Sequence, residues 1–545
     1  MCRHIDGMAI GSTMAALESR GVLRTIAGAD QVAFGKLRDS LGANAGFLHV
    51  AVRLLADQGW VSCAGEGGTD QLIITPTAAG RLVMGELAGG YAEAVRFLPL
   101  AARPDITEDD KALAPFARLA EREWNLPATP SPSASASPSP SPCDAATDAR
   151  HQVLAHLNGH LFAPLMFVMT RPGRDLTETA GRILALAGWT RDGRFTPDGE
   201  IALTLARQYR YPMVYLPLLR SVPELIFGAA PSSSVAAEET HLDRDLDIRF
   251  SGEVFAALCR TPFLEIALPL FEAEPGAQPA LVVDTGCGDG TLLETLYAAV
   301  RDRTARGRRL GEHPLLMVGA DPSPVARRTA SARLAAVGVP HLILDGDIAD
   351  PDGLARELAA AGHDATDALH VCKSAIHDRA YTLPTAPPGA AHSSASVHLS
   401  ASAHRPGSAH LSGAAHSSAS AHLSGATPVT ATAFAHPDGE AIPATLMAAN
   451  LAALFRDWRP LTRRHGWIVI EAHSTPAATV ARLAGRTIAT ALDATHGYSC
   501  QYPVEPEVYA WAVGTAGFAS RAHHEPGAAT LGHTQLTIDH FVTEG

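Results

Sequence analysis

Cysteine is scarce and scattered in this sequence: seven residues (Cys2, Cys63, Cys143, Cys259, Cys287, Cys372 and Cys500), with no CxxC pair among them. That spacing argues against a disulfide framework or a thiolate zinc site and predicts a reducing, cytoplasmic setting. Long apolar runs are missing too. No stretch approaches the roughly 20 uninterrupted apolar residues of a membrane span. The opening MCRHIDGMAIGSTMAALESRG lacks the basic-then-apolar order of a signal peptide. Basic charge is in deficit, with 43 Lys and Arg against 56 Asp and Glu and a net charge of -13. Nucleic-acid binders need basic surface to displace counterions from phosphates, so neither DNA nor RNA is an expected partner. At 46% hydrophobic and 18% charged residues, the 545-residue chain reads as globular and as long enough for two or three domains.

Two low-complexity stretches divide it. Residues 127–147 read PATPSPSASASPSPSPCDAAT, a flexible linker with nothing to bury. Residues 382–428 carry a six-residue rhythm of histidines, from His392 through His398, His404, His410 and His416 to His422. A His-rich tract can bind metal, but this one reads as a repeat-expanded surface insertion, which a fold tolerates because loop entropy grows slowly with length. Before the linker, apolar residues recur at helical spacing over Met8–Arg24 and Gln31–Trp60, and QLIITPTAAGRL follows as a strand and helix start. A related pattern returns at Ile183–Leu203, with its own Gly-Trp turn and Thr-Pro helix start. The organisation predicted is a winged-helix-like helical domain over 1–126, a second over 148–249, and an α/β domain over 250–545 interrupted by the insertion. The candidate recognition helix, Leu48–Gln58, offers only Arg53 as a base, so these units are read as lid or dimer elements and not as DNA readers.

The chemistry-bearing segment begins at Leu281 with LVVDTGCGDGTLLETLYAAV. An apolar strand runs into a glycine turn and a Leu-rich helix, and Gly286, Gly288 and Gly290 let backbone approach a ligand at the helix N-terminus. Such a turn alone also fits a dinucleotide fold. The order downstream is more specific. LLMVGADPSPVA ends a second strand at Asp321, and LILDGDIAD follows a third with Asp347. ALHVCKSAIHDRAY and HGWIVIEAHS supply a fourth and a fifth strand, and TQLTIDHFV reads as an antiparallel closing strand.

Over roughly Phe250–Gly545 this order resembles the class I S-adenosylmethionine (SAM)-dependent methyltransferases, which have a Rossmann-like seven-stranded α/β fold. The resemblance implies SAM as cofactor. Asp284 would meet its amino group, and Gly286, Cys287, Gly288 and Gly290 would form the loop beneath it. Asp321 would take the ribose hydroxyls, Asp347 would lie near adenine, and Lys373 would sit at the active-site edge.

Several further segments, HLDRDLDIRFSG, KSAIHDRAY, NLAALFRDWRP, IVIEAHS and HGYSCQYPVEPE, together resemble the methyltransferase domains of apratoxin-type polyketide starter modules and their stand-alone relatives. That resemblance implies C-methylation of an acyl chain on a carrier protein, in some members with iron or manganese held by a His and a Gln five residues apart plus a carboxylate. Here His496 and Gln501 have that spacing, and Glu471 would be the third ligand, with His473 or Asp493 as substitutes. N and O donors of this kind suit Fe or Mn better than zinc. Independently of any metal, methylation next to a carbonyl needs a base and a cation or hydrogen bond for the enolate oxygen, whereas an alcohol needs only a base. His377, His496, Glu471 and His473 are the candidate catalytic residues. The expected activity is methylation of a polyketide-type acyl thioester or related small molecule. O-methylation of a hydroxylated natural product is the alternative, and a SAM-binding regulator is the reading from another class. A homodimer is compatible with the helical N-terminus.

Overall fold

The apolar run Leu281–Val283 is an inner strand of a seven-stranded sheet in the computed structural model, which describes residues 1–65, 68–128, 142–229, 241–383 and 430–543. Most of the Pro/Ser/Ala stretch and almost all of the His-rich tract lie outside these described residues. The strands are β1 (Leu281–Thr285), β2 (Leu316–Ala320), β3 (His341–Leu344), β4 (Ala368–Lys373), β5 (Trp467–Ala472), β6 (Phe518–His524) and β7 (Leu536–Thr543). Their spatial order is β6-β7-β5-β4-β1-β2-β3. β1 to β5 run parallel, and β7 pairs antiparallel with both β5 and β6. All of β1 and five of the six residues in each of β4 and β5 are buried, which explains why they read as continuous apolar runs without alternation. The carboxyl ends of the parallel strands share one edge, where Asp284, Asp321, Lys373 and Glu471 fall, as doubly wound sheets place their ligands.

The helical run Arg244–Phe271 has the length and mean hydropathy of a membrane span by composition alone. Phe255, Cys259, Phe263 and Ile266 of that run pack in one cluster with Val282, Leu369 and Ile468 of the sheet.

The helical N-terminal region carries the internal repeat in its hydrogen bonds. In the first unit, helix Ala45–Asp57 leads through Gly59-Trp60 into the antiparallel pair Val61–Ala64 and Ile73–Pro76. In the second, helix Glu178–Ala185 leads through Gly188-Trp189 into Thr190–Arg191 and Arg194–Phe195. The Thr77 hydroxyl donates to Gly59 O at 2.8 Å and accepts from Gly80 N–H at 3.0 Å. The Thr196 hydroxyl repeats this with Gly188 O at 2.7 Å and Gly199 N–H at 3.1 Å. The equivalent threonines are therefore Thr77 and Thr196, so the Thr75-Pro76 pair seen in the sequence is two residues out of step with Thr196-Pro197. Gly80 and Gly199 are required because a Cβ there would meet Trp60 O at 1.8 Å or Trp189 O at 2.0 Å.

These units share one hydrophobic core, which runs from Ile5 to Leu242 and takes in Ala491, Ala494 and Tyr498 from helix Ala489–Tyr498 of the catalytic region. Helix Pro142–Met169 starts inside the stretch expected to be linker, and helix Arg244–Val254 runs across the boundary expected at residue 249. The candidate recognition helix lies within this shared core: from Ala45 to Gln58 every residue is buried except His49, which is half-buried. It has no open basic face.

Candidate active site

The cofactor loop is built by three glycines with left-handed backbone, Gly286 (φ 81°), Gly288 (φ 54°) and Gly290 (φ 78°), a region other residues enter at a cost. Gly286 and Cys287 donate their N–H groups to Ala320 O at 2.8 and 3.2 Å, fastening the loop to the end of β2. A Cβ on Gly288 would project into open space. The Asp321 carboxylate accepts from Gly288 N–H at 3.0 Å and from Ser323 N–H at 2.9 Å, so it shapes the loop. Asp284 is buried with its Oδ1 lacking a hydrogen-bond partner among the described residues. Burial and the nearby Asp321 charge raise its pKa to about 8, against a smaller opposing pull from Lys373. A loop that leaves room above Gly288, beside a buried carboxyl without a donor, fits a ligand carrying an ammonium group.

Ser251, Asp284, Gly286, Gly288, Thr291 and Lys373 line one cleft. Lys373 is half-buried at the end of β4 and donates from Nζ to Ser251 Oγ at 2.7 Å. Burial lowers its pKa, opposed by the acidic groups around it. Cys287 is a packing group, since a side chain on Gly319 would meet its Sγ at 2.9 Å, and burial pushes its thiol well up. Asp347 is exposed in the loop after β3, where its Oδ1 accepts from Ala349 N–H at 2.9 Å.

Across the sheet end, Ser374 takes a left-handed backbone (φ 54°) and donates its N–H to Ile470 O at 2.8 Å. This bend turns the chain off β4 and returns Ile376 and His377 to Glu471 on β5. Non-glycine residues in this region cost about 1–3 kcal/mol and concentrate at functional sites. Glu471 accepts three hydrogen bonds: Oε1 accepts from His377 Nδ1 and from Ala472 N–H at 3.1 Å, and Oε2 accepts from Ile376 N–H at 3.1 Å. A carboxylate only accepts, so His377 carries its proton on Nδ1 and keeps Nε2 for chemistry. Burial depresses the His377 pKa, but the Glu471 carboxylate outweighs it and the net shift is upward.

His496 stands edge-on to His377 at a centroid separation of 4.9 Å, and burial together with His377 lowers its pKa to about 3. The chain leaves His496 through left-handed Cys500 and brings Gln501 to the same cleft. Gln501 Nε2 donates to Asp378 Oδ1 at 2.7 Å, and its buried Oε1 lacks a hydrogen-bond partner among the described residues.

His377, His496 and Glu471 thus come together, and His473 lines a small cavity with His377 and Glu471. Its Nε2 bonds the Thr537 hydroxyl at 2.9 Å and its ring meets Tyr509 edge-on. Asp493 is paired with Arg53 at 2.8 Å. The carboxylate beside Gln501 is Asp378, a residue the sequence reading passed over although it follows His377 directly. Tyr498 is core, with its hydroxyl 2.9 Å from Thr13 and its ring stacked against Phe47.

Comparison with known proteins gives a consistent picture. No curated protein matches the chain. Among solved structures, an O-methyltransferase of neocarzinostatin biosynthesis, in complex with SAM and 2-hydroxy-5-methyl naphthoic acid, is 14% identical, covering 70% of this chain and 96% of its own at a TM-score of 0.38. An O-methyltransferase family protein from Burkholderia thailandensis is 14% identical over 71% of this chain and 94% of its own, with a TM-score of 0.36. The DszA carbon methyltransferase is 12% identical over 66% of this chain and 77% of its own, with a TM-score of 0.33. Family comparison is decisive: residues 1–63 match the AprA N-terminal domain, and residues 239–425 and 414–538 match the AprA MT2-like domain. The chain belongs to the AprA MT2-like family and is a SAM-dependent methyltransferase.

Proposed function

We propose that the enzyme methylates a carbonyl-bearing natural product of polyketide type, with an acyl thioester as the acceptor class, and that His377 is the general base. The observation carrying this reading is the His377–Glu471 pair, buried at the carboxyl end of the sheet. SAM supplies an electrophilic methyl on its sulfonium. Glu471 fixes the His377 tautomer and supports the positive charge that forms when Nε2 takes the acceptor's proton. The carbon that loses the proton takes the methyl as the methyl's bond to sulfur breaks, leaving the neutral thioether S-adenosylhomocysteine, and the proton leaves from His377 to solvent.

A carbonyl acceptor is favoured over a simple alcohol by Lys373. Its half-buried ammonium borders the Asp284 cleft and is close enough to Asp247 and Glu471 to feel their charge. An enolate needs such a cation at its oxygen, and an alkoxide acceptor does not.

The donor set His496, Gln501 and Glu471 does not fit an iron or manganese ion as one unit. Glu471 faces His377 and two backbone N–H groups, Gln501 is bonded to Asp378, and Asp493 is paired with Arg53, so the three donors are not gathered around one point. No step is therefore routed through a metal.

The test is incubation with SAM and either acetoacetyl-pantetheine or a hydroxynaphthoate, with the products analysed by mass spectrometry. A C-methylated thioester whose formation is lost in His377→Ala supports the reading. A methyl ether from the naphthoate alone replaces it with O-methylation.

A further inference from the structure

Arg53 is the one base on the helix that a DNA-binding reading would have used, and it is 5% exposed. Its guanidinium reaches four separate points. Nε donates to Asp57 Oδ1 at 2.7 Å, within its own helix. Nη1 donates to Ala431 O at 2.8 Å, just after the His-rich tract. Nη2 donates to Thr475 O, four residues beyond Glu471, and to Asp493 Oδ2 at 2.8 Å, three residues before His496. The last three partners belong to three different segments of the catalytic region, and Arg53 comes from the N-terminal one. Arg53, His496 and Gln501 also line one cleft, together with Val50 and Asp493.

Helix Ala489–Tyr498 is gripped along its length by the same domain. Asp6 accepts from Ala491 N–H at 3.1 Å, Gln58 Nε2 donates to Thr490 Oγ1 at 2.6 Å, and Tyr211 shares a short hydrogen bond with Thr495. Those contacts anchor the helix to the helical domain alone. Arg53 is different because it ties that helix to the loop beyond β5 and to the segment at Ala431 at once.

We propose that Arg53 is a positioning residue: the N-terminal domain uses its guanidinium to set helix Ala489–Tyr498, and with it His496, against the loop that follows Glu471. The proposal rests on the acceptor site lying at His377 and His496. A guanidinium suits this place because all three of its nitrogens donate at once, Nε to Asp57, Nη1 to Ala431 O and Nη2 to Thr475 O and Asp493. A lysine ammonium, as a point donor on a flexible stem, does not reproduce it. Arg53 touches no reacting atom, and its effect passes through Asp493 and Thr475.

The test uses the full-length protein labelled with 15N-histidine, with the His496 ring signals identified by their loss in His496→Gln. Arg53→Ala and Arg53→Lys are expected to shift and broaden the His496 signals, and millimolar guanidinium is expected to restore them in Arg53→Ala but not in Arg53→Lys. SAM affinity by calorimetry is expected to stay within about twofold, because the cofactor loop shares no partner with Arg53. Should Arg53→Ala fail to fold, Asp493→Asn isosterically removes the charge of a single partner, leaving a weaker neutral acceptor, and is expected to move the same signals. Unchanged His496 signals in Asp493→Asn and Arg53→Lys overturn the proposal, as does a parallel loss of SAM binding in Asp493→Asn. These readouts need no methyl acceptor, so a failed transfer assay with displaced His496 signals counts against the base assignment and not against the clamp.

Discussion

The imidazoles of His377 and His496 meet edge to face with their centroids 4.9 Å apart, and Glu471 holds only the first. Their titrations are therefore driven in opposite directions: the His377 pKa is raised and that of His496 is lowered to about 3. Imidazole NMR between pH 4 and 8 is expected to show one ring titrating above the ordinary histidine value of 6.5 and the other remaining neutral throughout. Two rings titrating together near 6.5 would contradict the assignment.

Proton release on SAM binding is the next expectation. Asp284 has a pKa of about 8 in the free protein, so it is largely neutral at pH 7. An ammonium group placed against it favours the carboxylate, and the proton must leave. Calorimetry in buffers of different ionisation enthalpy is expected to show up to one proton released per SAM at pH 7 and none in Asp284→Asn. Equal heats across buffers for the wild type would remove Asp284 from the cofactor site.

The loop itself gives a sharper substitution test. Asp321→Ala removes the acceptor for Gly288 and Ser323 N–H as well as the expected ribose contact. Losing charge-assisted hydrogen bonds worth about 1.5–3 kcal/mol corresponds to roughly 10- to 100-fold weaker SAM binding. Gly288→Val adds atoms in the open space above the loop at a positive φ, and SAM binding is expected to be lost while circular dichroism stays near native. Normal affinity in either variant would displace the loop from its role.

Acid sensitivity follows from histidines that the fold holds neutral. His4, His156 and His496 are depressed to about 3, and His49, His160 and His370 to about 4, all chiefly by burial. A histidine whose native pKa is depressed contributes stability that is present above its unfolded value and is lost as pH falls from there towards the native value. Each contributes a slope of at most about 1.4 kcal/mol per pH unit. Asp6 and Asp284, both raised to about 8, act in the opposite sense over the same window, as do the upward-shifted Asp57 and Asp247, but with His465 also lowered to about 4 the histidines outnumber them. Urea midpoints are expected to fall steadily from pH 6.5 to 4.5, and a flat profile would contradict this balance.

The sheet was legible because its strands are local, apolar and separated by marked turns. LVVDTGCGDG, Asp321 and the closing strand TQLTIDHFV carry their signal within a few residues. The same holds for the Gly-Trp turn of the repeat, although Thr75-Pro76 suggested a register that the Thr77 cap does not follow. What the sequence could not show were pairings across long separations. Glu471 looked available as a ligand because nothing near it in the chain reveals that His377, 94 residues earlier, occupies it. His473 lines one cavity with Glu471 and His377, but its Nε2 is held by Thr537, 64 residues later, a pairing its neighbours in sequence do not reveal. Arg53 read as a lone surface base because its three partners, at 431, 475 and 493, appear only after the helical domain closes on the sheet domain.

The central claim, that His377 is a base tuned by Glu471, is tested most directly by the pH dependence of methyl transfer in Glu471→Gln. In the wild type the raised His377 pKa means that the free base appears only at higher pH, so the rate is expected to rise through an inflection above 6.5. Without the carboxylate that pKa falls, so the inflection is expected to move to lower pH while the plateau rate drops by about 10²- to 10⁴-fold, the usual span of base catalysis. An unchanged inflection and plateau in Glu471→Gln would contradict the account.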